Sequence, residues 1–135
     1  MRISAAIRWR DLDLLGHLNQ SVYHELLEEA RGELYERLSD GPMTAFVLAR
    51  IELDHHREVR REDGPVEVVA RVAAVGRSSV TLEHELRRAD GELAATGKAV
   101  LVAFDSEARR SRELTEEERR WLEAARGEAA QRTSS

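Results

Sequence analysis

Apolar side chains recur at three- and four-residue intervals from Val22 to Leu38, and this run constrains the fold more than any other part of the chain. Val22, Tyr23, Leu26, Leu27, Ala30, Leu34, Tyr35 and Leu38 share one side of a helical wheel, while Glu25, Glu28, Glu29, Arg31, Glu33, Glu36 and Arg37 fill the other. The spacing predicts one long helix with a buried face. Asn19 is a suitable N-cap, and with it in that role Leu18 at N′ and Tyr23 at N4 have the spacing of a hydrophobic staple. Gly41-Pro42, after Leu38-Ser39-Asp40, supplies the stop.

The remaining segments read as strands. Ile3 to Trp9 is short and partly alternating. Phe46 to Arg57 sets Val47, Ala49, Ile51, Leu53 and His55 on one face against Leu48, Arg50, Glu52, Asp54 and His56 on the other, so only one face can be core. Val66 to Val75 and Ser79 to Arg88 are divided by Gly76-Arg77-Ser78 and read as a hairpin. Asp90-Gly91 makes the next turn, and Leu93 to Phe104 is nearly continuously apolar, as expected of a strand covered on both sides or lying in an oligomer interface. The order is βαββββ, an α+β pattern in which the helix crosses the concave face of an antiparallel sheet. Thr115-Glu116-Glu117-Glu118 is a capping box ahead of Trp121 and Leu122, which predicts a short C-terminal helix; Gln131 to Ser135 has no anchor.

Length and charge narrow the classes of function. A chain of 135 residues with 41% apolar content suits one domain, expected over 1–128 with a frayed tail at 129–135. A formal net charge of −5 argues against a general nucleic-acid surface, although local arginines can still meet phosphate. The absence of cysteine excludes disulfides and thiolate chemistry. Arg8 interrupts the N-terminal apolar stretch before a signal-peptide core forms, and no window reaches the ~18 apolar residues of a membrane span. The expectation is a cytoplasmic protein.

The chemistry-bearing residues stand at the head of the helix. Asp13-Leu14-Leu15-Gly16-His17-Leu18-Asn19 brings an acid, a turn glycine, a histidine and an asparagine to a helix N-terminus, where free N–H groups and the helix dipole favour developing negative charge. The pattern Arg10, Asp13-x-x-Gly16-His17-x-Asn19, Tyr23, Glu28, Ala30-Arg31 resembles the signature of the 4-hydroxybenzoyl-CoA thioesterase group of hotdog-fold proteins, which reads roughly DxxGHxNNxxYxxxxExxR. Val75-Gly76-Arg77-Ser78-Ser79 and Gly97-Lys98-Ala99-Val100-Leu101-Val102 are similar to weaker segments of that family. Gln20 stands where the family has a second asparagine, and Arg57-Glu58 replaces an Arg-Pro after the second strand.

The resemblance implies a hotdog fold, a five-stranded antiparallel sheet wrapped around one long helix, and a hydrolase of acyl thioesters carried on CoA or on an acyl-carrier protein. By resemblance Asp13 is the base or nucleophile, and His17 and Asn19 shape the pocket and hold substrate or water. The helix N-terminus at Gln20, with Ser21, polarises the carbonyl, an arrangement in which one lost oxyanion donor costs ~3–4 kcal/mol. Gly16 makes the turn, Tyr23 lies near the acyl group, Glu28 supports the site, and Arg77, Ser78 and Ser79 contact CoA. No cofactor beyond the CoA of the substrate is implied, and a homodimer or homotetramer is expected, because an open sheet on one helix leaves edges to cover.

The same residues also have structural readings. Asp13 caps a turn, His17 satisfies loop carbonyls, Asn19 caps the helix, Tyr23 fills core, Glu28 pairs with an arginine, and Arg77-Ser78-Ser79 forms a polar turn. The Asp54-His55-His56 triplet does not predict a metal site, because adjacent side chains on a strand face opposite ways. A hotdog hydratase or dehydratase is the first alternative function; those enzymes usually have four residues between Asp and His, against Leu14, Leu15 and Gly16 here. A non-catalytic acyl-thioester binding protein is the second.

Overall fold

In a computed structural model describing residues 1–38 and 45–134, with side chains described as far as residue 127, strands β1 (Arg2–Ala5), β2 (Ala45–His55), β3 (Val66–Val75), β4 (Ser79–Arg87) and β5 (Leu93–Asp105) form one sheet. Its order is β1-β3-β4-β5-β2, and the two-residue β6 (Arg110–Ser111) pairs antiparallel with β5. The helices are α1 (Gln20–Ala30), α2 (Gly32–Leu38) and α3 (Glu116–Ser134). Contacts within the chain cluster into two units. One comprises 1–32, 53–70 and 84–97, the other 33–52, 71–83 and 98–135.

The first unit carries the helix entry anticipated from sequence. Asn19 accepts the Ser21 amide on its side chain at 3.0 Å, and Leu18 and Tyr23 are both buried. Val22, Tyr23, Leu26, Leu27 and Ala30 form the buried face of α1, and Ile7, Val59, Val66, Val68, Ala70, Leu86, Ala94 and Ala95 add to the unit's apolar core. The single helix expected over Val22 to Leu38 is instead two. Arg31 closes α1 with φ −85° and ψ 0°, and its amide reaches back to the Leu27 and Glu28 carbonyls. Its side chain is buried, with a guanidinium nitrogen 3.5 Å from His84 Nε2, and Gly32, a weak helix former, begins α2. The apolar period runs on through Ala30, Leu34 and Leu38, so the break leaves no mark in it. The expected stop at Gly41-Pro42 lies outside the described residues.

The second unit is built on Leu34, Leu38, Val72, Val80, Leu82, Ala99, Leu101, Ala103, Leu114 and Leu122, all buried. The capping box is present: Thr115 N–H donates to Glu118 Oε1 at 2.8 Å and the Glu118 amide to Thr115 Oγ1 at 3.1 Å. Glu118 also takes a two-point ion pair from Arg112, at 2.7 and 2.9 Å. Burial pushes the Glu118 carboxyl up, but the Arg112 and Thr115 donors outweigh it and hold the group below the ordinary carboxylate range. The C-terminal helix, expected to be short, runs on to Ser134.

β2 to β5 follow their predicted spans to within two residues, but β1, expected over Ile3 to Trp9, ends at Ala5, and Trp9 instead opens a short 3-10 turn over Trp9–Asp11. β2 also needs a correction of face. Neither face of β2 is buried: Val47 and Leu48, on opposite faces, are 40% and 49% exposed. The strand ends the sheet order, so among the described residues its outer edge and both faces lack the cover a central strand has. β5 lies between β4 and β2, with Ala99, Leu101 and Ala103 buried and Val100, Val102 and Phe104 half-buried, which accounts for its near-continuous apolar run. Both turns are where the sequence puts them. Gly91 has φ +87°, and a Cβ on Gly76 would lie 2.7 Å from Ser79 Oγ, so a side chain there would force the Ser79 hydroxyl to turn away.

Candidate active site

The segment before α1 is a tight loop held by its own acid. Leu12 and Leu18 pair as an antiparallel bridge, the Asp13 amide donates to the His17 carbonyl at 2.8 Å, and the Gly16 amide donates to the Asp13 carbonyl at 3.1 Å. Gly16 has φ +77°, a conformation that strains any side-chain-bearing residue even though the space around it is open. Asp13 Oδ1 then accepts the Leu15 amide at 2.9 Å and the His17 amide at 3.1 Å. The turn-capping reading of Asp13 therefore describes one of its oxygens. Oδ2 has no hydrogen-bond donor among the described residues, and the residue is exposed.

Outer contacts fix where this loop leads. The Leu18 amide donates to the Val59 carbonyl at 2.7 Å, and the Asn19 amide donates to the Asp11 carbonyl at 2.8 Å. Asp11 is itself buried, and its carboxylate takes the Arg8 guanidinium at 3.0 and 3.1 Å together with the Arg8 amide at 2.8 Å. The Arg8 hydrogen bond holds the Asp11 carboxyl below its usual range against the cost of burial. Sequence reasoning passed over this pair, whose signal was an Arg and an Asp three residues apart immediately ahead of the motif.

The other expected site residues divide. His17 turns its Nε2 to Glu58, 2.8 Å away, so the ring is held by the residue replacing the family's proline rather than aimed at Asp13. Asn19 is the N-cap, and because its carboxamide oxygen takes the Ser21 amide, that amide is occupied. Of the two amides expected to polarise a carbonyl, only the Gln20 N–H lacks an acceptor among the described residues. Tyr23 is buried, and burial raises its phenol pKa. Glu28 is exposed, not set in a buried flank. Arg77, Ser78 and Ser79 belong to the second unit, where Arg77 pairs with Glu113 at 2.6 Å from its Nε, and Arg119 of α3 donates to the Gly76 and Arg77 carbonyls at 3.1 and 3.3 Å.

Sequence reasoning also missed His55. Its Nε2 lies 2.9 Å from Gln20 Oε1, and its ring meets Tyr23 edge to face at 4.7 Å and 88°. His56 instead reaches Thr96 Oγ1 at 2.9 Å. The two histidines thus serve different partners, as expected of adjacent residues at a strand end. Among the described residues no group of three or more histidine, aspartate or glutamate side chains comes together in a way that would hold a metal ion.

Beside the Asp13 loop lies a cleft of about 510 Å³ lined by Trp9, Leu12, Leu15, Gly16, Arg60 and Arg61 among others, with the Arg61 guanidinium stacked 4.2 Å over the Trp9 ring. Trp9 and Leu15 are 72% and 78% exposed, so the cleft offers apolar surface to solvent beside the loop that carries Asp13.

Comparison with known proteins bears on this geometry. The sequence model of the thioesterase-like superfamily matches residues 7–122. A thioesterase from Thermus thermophilus, solved in complex with coenzyme A and Zn, is 36% identical, covers 93% of each chain and superposes with a TM-score of 0.82. A Pseudomonas aeruginosa protein is 26% identical over 93% of this chain and 90% of its own, with a TM-score of 0.78. The uncharacterized Bacillus subtilis protein YsmA is 28% identical over 120 residues, which are 87% of this chain and 81% of YsmA. By sequence and by its α+β hotdog fold, this chain belongs to the thioesterase-like superfamily.

Proposed function

We propose that the protein hydrolyses acyl-CoA thioesters to a free acid and CoA thiol, acting in the cytoplasm as an oligomer. The observation that carries this reading is the open Gln20 amide at the start of α1, directly following an ordered turn that leaves one oxygen of Asp13 unengaged. A thioester whose carbonyl oxygen faces that amide is polarised by the hydrogen bond and by the helix dipole together. The thiolate is already a good leaving group, so a base or nucleophile is what remains to be supplied.

Asp13 supplies it by one of two routes. As a base it takes a proton from water while the water oxygen adds to the carbonyl carbon. The oxyanion forms against the Gln20 N–H, and collapse expels thiolate, which recovers the proton from Asp13. As a nucleophile its carboxylate oxygen adds instead, thiolate leaves, and water cleaves the resulting mixed anhydride. CoA as the carrier is favoured by the similarity to the Thermus thioesterase complexed with coenzyme A. That complex also holds Zn, but the described residues offer no ligand cluster for one, so no step is routed through a metal.

Thiol release over a panel of aliphatic, aromatic and phenylacetyl-type CoA esters tests the function and reads the substrate class together. Single turnover in ¹⁸O-water then bears on the routes, because label found in Asp13 identifies a mixed anhydride opened by water at its aspartyl carbon, which the general-base route cannot give. A protein that releases no thiol from any ester, yet binds them, would be the acyl-thioester binding protein of the alternative reading.

A further inference from the structure

We propose that His55 is a positioning residue for thioester hydrolysis: it holds the Gln20 carboxamide away from the helix start, so that the Gln20 amide stays open to the carbonyl oxygen of the substrate. The proposal rests on the thioesterase reading above.

Gln20 departs from the family's paired asparagines, and its longer side chain brings a hazard. A glutamine in the first turn of a helix can fold its own carboxamide oxygen back onto free backbone N–H groups there, as the glutamine of a capping box does. That would occupy the donor the reaction needs. In this chain both ends of the carboxamide are engaged elsewhere. Its Oε1 accepts from His55 Nε2 at 2.9 Å, and its Nε2 lies 3.3 Å from His24 Nε2, one turn along α1.

With the carboxamide in this orientation, the two contacts also assign proton positions. Carboxamide oxygen only accepts, so His55 carries a proton on Nε2; carboxamide nitrogen only donates, so His24 Nε2 is a lone pair and its proton is on Nδ1. The Tyr23 ring, perpendicular to His55 with centroids 4.7 Å apart, restrains the plane of the donor. His55 itself is delivered by the end of β2, where the His56 and Arg57 amides both donate to the Ala94 carbonyl, at 2.8 and 3.1 Å. A side chain from the sheet thereby compensates a substitution on the helix.

The test is a double-mutant cycle on the full chain with the best CoA ester of the panel, read as kcat and KM. His55→Phe keeps a ring against Tyr23 but cannot donate. It should lower kcat about tenfold, less than the loss of an oxyanion donor outright, with KM changed less than about twofold. His55→Gln, which restores a donor, should recover most of that loss. In a Gln20→Ala background, where no carboxamide remains to be held, His55→Phe should change kcat less than about twofold further, whatever rate Gln20→Ala itself retains. Equal losses in both backgrounds, or no loss in either, would overturn the proposal while leaving the thioesterase reading intact.

Imidazole ¹⁵N shifts supply a readout independent of turnover. They should show His55 as the Nε2–H tautomer in the wild type, with that preference reduced in Gln20→Ala; His55 as the Nδ1–H tautomer would overturn the proposal even if His55→Phe were poorly folded. A wild type that releases no thiol would overturn the thioesterase reading and the positioning role with it.

Discussion

Asp13 and His17 are joined twice: the Asp13 amide donates to the His17 carbonyl at 2.8 Å, and Asp13 Oδ1 accepts the His17 amide at 3.1 Å. The carboxylate thus orders the loop with one oxygen and leaves the other for chemistry. Its two jobs are separable by substitution, since an amide oxygen can still cap the turn while an amide cannot act as base or nucleophile.

Asp13→Asn is therefore expected to keep the melting temperature and CoA-ester affinity of the wild type and to lower kcat by about 10²–10⁴-fold or more. Asp13→Ala should lose rate and loop together, with faster amide exchange at Leu15 and His17. Near wild-type turnover in Asp13→Asn would remove Asp13 from the mechanism.

What the sequence made legible, and what it did not, follows from range. The Asn19 cap, the Thr115 capping box and the Asp90-Gly91 turn are interactions between near neighbours, and each was readable from residue type and spacing. The Arg31 break was not, because Ala30, Leu34 and Leu38 keep helical period across it; Gly32 alone marks the place, and the Arg31 guanidinium has its contact with His84 on a distant strand. His55 was read only as a poor metal ligand, since its partner Gln20 lies in another element and pairing across elements leaves no local pattern. The roles of His17 and Glu28 came from resemblance alone, and resemblance carries no information about which way a ring turns when Glu58 replaces a proline.

The Arg112 and Glu118 pair should make stability pH-dependent at the acid end. Glu118 has a carboxyl pKa lowered in the folded state, so its contribution is full above the unfolded-state value of about 4.3 and is lost as pH falls through the lower folded value. Thermal melts from pH 6 down to pH 3 should show a falling Tm, with a shallower fall in Glu118→Gln. At neutral pH, Glu118→Ala leaves the largely buried Arg112 guanidinium without its partner, at a cost of about 3 kcal/mol in chemical denaturation. An unchanged midpoint would mean that solvent replaces the pair.

Dialysis against a chelator is expected to leave thiol release unchanged. His55 and His56 are engaged by Gln20 and Thr96, and no ligand cluster forms among the described residues. Activity lost on chelation and restored by zinc would require these histidines to leave their present partners, and would overturn the metal-independent mechanism.

Oligomerisation is the remaining expectation, and β2 supplies the physical argument. It ends the sheet order and carries Val47 and Leu48 exposed on opposite faces, so among the described residues its outer edge has no pairing strand beside these apolar side chains. Pairing with a second copy along this strand would cover both, and the resemblance leads to the expectation that the partner completes the acyl pocket. Light scattering at micromolar concentration should give two or four times the 15.3 kDa monomer mass. Leu48→Glu, which introduces like charges where two copies of the strand would meet, should shift the protein toward monomer and lower thiol release in step with the dimer fraction. A wild-type monomer with full activity would contradict the shared site, and a monomeric Leu48→Glu variant with full activity would show that the partner contributes nothing to it.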